Sequence, residues 1–384
     1  MFRDGGVPGH RGTDAYRGTG APARRSAGPL VRRYAGPLVR RYAGTPVRRY
    51  AGTPVRRYAG TLVLCALLAG CGGGKTPLVI YSPHGRDLLT LFEQRFETEH
   101  PTVDVRWLDM GSQEALDRVR SERANPQADV WFGGPASLFA TAARESLLAP
   151  LGGDSAFWLS VYRTPAVIAY NRDVVPDSAA PRDWEDVLAP RWRDRVLIRD
   201  PIASGTMRAI WGMIFERSLA ATGDTGQAAA WLRRLDGQTR EYVLNPALLT
   251  EKLVRQEGWI TLWDLPDLQI TIRKGRHLGY VFPSSGTPVI DDAIAVVRGA
   301  RRDSLARVFV AWARSRKMQL VAAREVYRLP ARTDLPADSL PAWVREVEGK
   351  MKVEPMDWLR LDRQGAAWMA YWDQHIRGTG KGRS

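Results

Sequence analysis

Four short segments of this 384-residue chain carry side chains whose types and spacing suit chemistry. Asp200-Pro201-Ile202-Ala203-Ser204-Gly205-Thr206 sets two hydroxyls and a glycine immediately before a helix-periodic run. Hydroxyls and free backbone amides at a helix N-terminus form an anion site, which the helix dipole favours. Ser82-Pro83-His84-Gly85 adds a hydroxyl and an imidazole, and Gly133-Gly134 removes side chains where a ligand or another backbone could come close. Leu262-Trp263-Asp264 puts an indole that can stack on an apolar or cationic group beside a carboxylate that can pair with an amine. His84 and Asp264 are also the two candidates for holding a metal ion. Each segment has a structural reading as well. Ser204 or Thr206 can cap a helix, His84 can sit in a turn, and Trp263 can be core. Asp264 can cap a helix or pair with Arg273, and the glycine pair can be a tight turn.

Catalytic signatures are missing from the sequence: it has no GxSxG elbow, no GxxxxGK[ST] phosphate loop and no HExxH helix. Its five histidines (His10, His84, His100, His277 and His375) are scattered, with no pair at metal-ligand spacing. The reading is therefore a binding protein, not an enzyme, and no cofactor is expected.

The elements that must position these segments alternate between strand and helix. Leu78 to Tyr81 is a short apolar strand, and Leu88, Leu89, Phe92 and Phe96 form the stripe of a helix over 86–99 that Pro101 ends. Strands at 103–107 and 128–132 and helices at 112–124, with Ser112 as cap, and 135–147 complete a βαβαβα block, which packs as a parallel sheet between helices. A second block follows. It has strands at 166–170, 196–198, 259–263 and 293–297, and helices at 181–188, 205–222, 225–235 and 246–256. The last 80-odd residues are mostly helical. Two α/β blocks imply a cleft between them. Ligands of open parallel sheets bind beyond the carboxyl ends of the strands, where all four segments fall.

Charge and cysteine separate the first 70 residues from the rest. They hold 13 arginines and two acids, whereas the remainder is nearly balanced although the whole chain carries +15. A field confined to one end argues against a nucleic-acid partner. Residues 27–58 repeat AGPLVRRY twice and AGTPVRRY twice, a basic tract broken by Gly or Pro in every unit, which reads as disordered. The apolar run Thr61 to Gly70 then has the length of a secretory signal and would span only ~15 Å as a helix, too little for a bilayer. Leu68-Ala69-Gly70-Cys71 resembles the bacterial lipobox, with Gly72-Gly73-Gly74 as a flexible tether. A lipidated Cys71 would anchor an exported protein, periplasmic or at the cell surface, to a membrane. No cysteine follows it, so the body has no internal disulfide.

In order along the chain, VIYSPHG, ADVWFGGP, PAVIAYNRD, DPIASGT, YVFPSSGTPV, DDAIAVVRGA and RLPAR resemble the solute-binding proteins of ABC importers, in the branch handling ferric iron, thiamine, polyamines and phosphonates. The resemblance covers about residues 77–335. It implies an α/β, two-lobed periplasmic-binding-protein-like fold of type II, hinged near 160–166 and 280–290. A monomer would deliver a small molecule or ion from the interlobe cleft to a membrane permease, whose ATPase subunit is a separate protein. The implied organisation is a leader and signal peptide over 1–70, a tether over 71–76, a first lobe over 77–163, a second over 164–280, and a return to the first lobe with C-terminal helices over 281–384. The implied ligand residues are Ser82, His84, Gly133, Gly134, Ser204, Gly205, Thr206, Trp263 and Asp264. Ferric-iron members use adjacent tyrosines, and Leu262-Trp263-Asp264 stands there instead. An anionic or zwitterionic solute such as a phosphonate fits these residues. Ferric iron with an anion, a polyamine (held by Trp263, Asp264 and Asp292), a thiamine-type solute, and a receptor signalling to a membrane sensor are the alternatives.

Overall fold

A computed structural model of the chain describes residues 74–152 and 156–380. The arginine-rich repeat, the signal-like run and Cys71 lie outside the described residues.

The first block runs β1 (Thr76–Ser82), α1 (Arg86–Glu99), β2 (Val103–Asp109), α2 (Ser112–Ser121), β3 (Val130–Pro135) and α3 (Ala136–Arg144). Leu88, Leu89, Phe92 and Phe96 are the buried face of α1. After β4 (Leu159–Asn171), the second block holds β5 (Val196–Arg199), α4 (Gly205–Thr222), α5 (Gly226–Gln238), β6 (Thr239–Val243), α6 (Pro246–Val254), β7 (Ile260–Asp264), α7 (Leu265–Arg273) and β8 (Leu278–Val281). The chain ends with β9 (Val289–Val296), α8 (Asp303–Ala313), α9 (Arg316–Glu325), β10 (Leu329–Pro330), α10 (Ala342–Lys350) and α11 (Trp358–His375). Among the described residues no helix is long and apolar enough to cross a membrane.

Strand order is β2-β1-β3-β9-β4-β7-β5-β6, with β8 and β10 also bonded to β4. Parallel pairing holds within each block: β1 with β2 and β3, and β5 with β6 and β7. The sheets are nevertheless mixed, not parallel throughout as the alternation predicts, because β9 runs antiparallel to β3 and β4, and β4 antiparallel to β7. The 13-residue β4 belongs to two sheets. Leu159 to Pro165 pair with β9, and Ala166 to Asn171 pair with β7 and β8. This shared strand divides the fold into two lobes.

In the first lobe successive residues of β3 point to opposite faces, as a pleated strand requires. Val130 and Phe132 join a core with Phe92, Phe96 and Phe309, while Trp131 joins Phe139 and Leu116 on the other face. A single larger core fills the second lobe, where Trp184, Trp211, Phe215 and Leu262 meet Trp368 and Trp372 of α11. Trp368 stacks on Phe215 with ring centroids 5.0 Å apart, and Trp372 meets Trp211 edge-on at 6.1 Å. Near the start of α11, Asp362 accepts hydrogen bonds from Thr141 and Arg144 of α3. The C-terminal helix thus touches both lobes.

Some elements differ from expectation. Instead of a helix over 181–188 there is a 3-10 turn, Trp184–Leu188. Asp183 and Asp186 satisfy its backbone locally, and Pro190 disfavours helix at Ala189. Gly111, not Ser112, is the N-cap of α2. The strands β6 and β8 and the helix α7 were not anticipated. Each is short and starts within five residues of the preceding element; β6 and α7 follow with no residue between, and only Gly275 marks the turn before β8.

Trp372 is fully buried, so Trp372→Ala is expected to lower the unfolding free energy by about 3–5 kcal/mol. Leu359→Ala, at a 66% exposed position of the same helix, should change it by less than about 0.5 kcal/mol. Urea unfolding followed by tryptophan fluorescence checks both.

Candidate functional site

Because each helix in a βα unit begins where a strand ends, helix N-termini collect at the carboxyl edge of the sheet. Here six strand-end loops from both lobes surround one chamber of about 350 Å³. Pro83 and His84 come from the end of β1, Asp109 to Ser112 from β2, and Gly134 and Pro135 from β3. The second lobe contributes Ala203 to Thr206 after β5, Leu244 to Pro246 after β6, and Trp263 and Asp264 at the end of β7. Glu114 of α2, Thr164 of β4, Arg199 of β5, Asp267 of α7, Ile290 and Asp292 of β9, and Arg328 complete the wall.

The two lobes treat their helix N-termini differently. In the second lobe each is capped by its own side chain: Ser204 Oγ accepts from Met207 N at 3.2 Å, Asn245 Oδ1 from Leu248 N at 3.0 Å, and Asp264 Oδ1 from Asp267 N at 3.1 Å. In the first lobe α2 and α3 follow Gly111 and Pro135, which make no side-chain cap. The first-turn amides of α2 and α3 therefore lack that partner. The N-termini of α2 and α4 abut: a Cβ placed on Gly205 would lie 3.0 Å from Ser112 Oγ.

Of the residues singled out by sequence, His84, Gly134, Ser204, Gly205, Thr206, Trp263 and Asp264 line the chamber. Ser82 and Gly133 stand behind them. Ser82 Oγ accepts from His84 N at 3.2 Å, and a Cβ on Gly133 would overlap His84 Nε2. Gly133 and Gly134 have φ of +99° and +100°, a backbone region that costs a non-glycine residue free energy. Gly134 N donates to Asp292 Oδ1 at 2.9 Å, and Thr164 Oγ1 donates to the other oxygen of the same carboxylate. Trp263 is only 5% exposed, packs in the second-lobe core, and donates its indole N–H to Asp267 Oδ2 at 3.3 Å. Little of its ring face is open for stacking. Asp264 takes the capping role at α7.

Sequence reasoning missed Ser112 as a wall residue, as well as Asp109, Asp267, Arg199 and Arg328. The arginines carried a usable signal: Arg199 ends an otherwise apolar strand, and Arg328 lies directly before the short strand β10. Both are buried. Arg199 Nη1 donates to Val243 O at 3.2 Å, and Arg328 Nη2 lies 3.5 Å from Asp267 Oδ1 while its Nε has no partner among the described residues.

Burial sets the protonation states. It pushes the Asp264 carboxyl well above its ordinary range, and nearby Asp267 adds to the effect. Asp292 and Asp109 are raised for the same primary reason, burial. His84 is held well below the usual imidazole value by burial and by Arg328, so its ring is neutral. Among the described residues no group of three or more His, Cys, Asp or Glu stands close enough to hold a metal ion. The chamber can thus receive an anion on helix amides, hydroxyls and guanidiniums while carboxyl groups meet a cationic part of the same solute.

A family model for bacterial extracellular solute-binding proteins matches residues 150–358, more than half of the chain. The chain belongs to that family. It is a solute-binding protein of the ABC-importer kind, and the relatives of this solute-binding protein are binding proteins, not enzymes. One of them, a probable ABC transporter periplasmic-binding protein of Sinorhizobium fredii, is 25% identical over 321 residues, 78% of this chain and 86% of the relative. A putative 2-aminoethylphosphonate-binding periplasmic protein of Salmonella typhimurium is 21% identical over 273 residues, 67% of this chain and 79% of the relative. Among solved structures, the periplasmic binding protein AfuA from Actinobacillus pleuropneumoniae superposes with a TM-score of 0.69 at 20% identity, covering 79% of this chain and all of the other. The solute-binding protein accordingly has the two-lobed fold of periplasmic binding proteins, binds a small solute and works with a permease.

The raised Asp264 titration has a measurable consequence. A carboxyl whose folded pKa exceeds its unfolded value contributes stability at acid pH and loses it as pH climbs through the folded value. The stability of the native chain relative to Asp264→Asn, which keeps a cap at α7, is therefore expected to fall as pH rises above the ordinary carboxylate range. Denaturant midpoints of both proteins from pH 4 to pH 8 check the sign.

Proposed function

We propose that this protein captures a zwitterionic organic phosphonate, an aminoalkyl phosphonate in the first instance, and delivers it to its permease from a lipid anchor at Cys71. The observation that carries this reading is the meeting of the α2 and α4 N-termini in one chamber with Arg199, Arg328 and the carboxyls of Asp109, Asp264 and Asp267. The phosphonate oxygens accept from the first-turn amides of α2 and from Ser112 and Thr206, with the buried guanidiniums neutralising their charge. The ammonium group takes the carboxyl side, where its positive charge favours the ionised form of Asp264. Binding there releases a proton. The 2-aminoethylphosphonate name of the Salmonella relative agrees with this chemistry. Ferric iron is less well served, because it needs several anionic oxygens. The buried Asp264 and Asp292 are pushed toward their neutral forms, and two guanidiniums share the wall.

Titration calorimetry of the full-length protein with 2-aminoethylphosphonate tests the solute. Binding is expected to strengthen from pH 5 to pH 7, with proton release seen as a dependence on buffer ionisation enthalpy. Loss of a hydrogen bond to a charged group through Ser112→Ala or Thr206→Val should weaken it about tenfold or more. No binding, or binding indifferent to both substitutions, removes the reading.

The anchor is tested separately. Acyl chains contribute ~0.8 kcal/mol per buried methylene, enough for stable attachment when two or more are present. Cys71→Ser is expected to abolish incorporation of labelled palmitate and move the protein from the membrane to the soluble fraction. Membrane retention without Cys71 would exclude the anchor.

A further inference from the structure

The chamber does not end at the solute site. It opens into a second cavity of about 560 Å³ that shares His84, Asp109, Asn245, Pro246 and Asp267 with it. At about 30 Å³ of liquid volume per water, the inner space already accepts on the order of ten waters, so a two-carbon aminophosphonate does not require the outer one. The outer walls have their own chemistry. Ala247 and Val254 of α6 and Ile270 of α7 give an apolar floor, and Leu244, on the inner wall directly before the shared Asn245 and Pro246, is 71% exposed. An exposed leucine at a cavity mouth is the kind of surface that a ligand covers. At the rim Lys274 of α7 bonds both oxygens of Asp87 of α1, at 2.7 and 2.8 Å, closing one side. Arg86 and Arg276 line the same cavity, and their side chains make no ion pair among the described residues.

We infer that the outer cavity is a second subsite and that the solute is an extended, N-substituted aminophosphonate: its apolar body lies along α6 and α7, and a terminal carboxylate or second phosphoryl group meets Arg86 and Arg276. This rests on the phosphonate reading of the inner chamber and adds the substituent. The order of groups follows from the walls, with the amide-rich end innermost, carboxyls at the junction, apolar surface beyond and the Arg86 and Arg276 guanidiniums at the rim, where Arg86 also feels the Asp109 carboxylate. A secondary ammonium keeps its charge beside Asp109 and Asp267 while its substituent points outward.

Two probes separate the layers in the full-length protein: 2-aminoethylphosphonate, and its N-(4-carboxybenzyl) derivative. The derivative is expected to bind about tenfold tighter or more, from added apolar burial and a charge-assisted contact. Arg86→Ala and Arg276→Ala, both at exposed positions, should each weaken the derivative about threefold, and Arg276→Ala, which leaves the attraction between Arg86 and Asp109 intact, should change the parent less than about twofold. Ala247→Trp, also at an exposed position, fills the outer cavity and should cost the derivative about tenfold with the parent unaffected. If the parent binds but the derivative binds no tighter, or gains affinity that none of the three substitutions reduces, the outer subsite is overturned and the inner reading stands. Failure of both probes overturns the inner reading, and the subsite with it.

Discussion

The antiparallel pairing of β4 with β9, and the hand-over of β4 to β7 at Pro165 and Ala166, is the constraint on which the architecture depends. A strand shared by two sheets must be buried along almost its whole length, and from Val161 to Asn171 only Arg163 is not. Pro165 stands at the change of partners. It has no N–H to offer a ladder, so the position costs least where one sheet gives way to the next. Ala166 resumes the bonding, donating to Pro288 O at 3.0 Å and accepting from Thr287 Oγ1 at 2.6 Å. With that strand fixed, the carboxyl ends of β1 to β3 and of β5 to β7 face one chamber.

What fills the chamber wall follows from the cost of burying polar groups. A buried guanidinium or carboxyl is tolerable only with partners or with a neutralised charge. Asp292 meets the requirement through Gly134 and Thr164, and in doing so ties β9 to the end of β3 and the middle of β4. Asp264 meets it by capping α7 and by a titration displaced toward the neutral acid. Arg328 meets it only in part, with a long contact to Asp267 and an unpartnered Nε. The chamber wall thus carries a buried guanidinium whose hydrogen-bonding capacity the chain itself does not fill.

Much of the architecture could be read from local pattern. The stripe of α1, the apolar runs of β1, β5 and β7, and the Ser204-Gly205-Thr206 start of α4 each depend on residues a few positions apart, and those spacings are visible in one sequence. Of the nine residues that the loops after such strands single out, seven lie on the chamber wall and Ser82 and Gly133 stand behind it. Pairings across the chain left no such trace. The insertion of β9 beside β3, Val130 against Val296, joins residues more than 160 apart, so the mixed sheet was not foreseeable from alternation. Arg199, Arg328 and Ser112 reach the chamber through the same distant contacts. Ser112 also looked like a cap, because a serine before a helical run is the usual N-cap signal, yet Gly111 holds that place.

The first-turn amides of α2, which have no side-chain cap, set a partial positive charge on the chamber wall that no change of pH removes. A peptide dipole carries no exchangeable proton, so acidification that neutralises carboxylates leaves this part of the wall as it was. Only the part built from acids, Asp109, Asp264 and Asp292, changes its charge. The interior field therefore has one constant pole and one adjustable pole, and alkaline surroundings deepen the contrast between them.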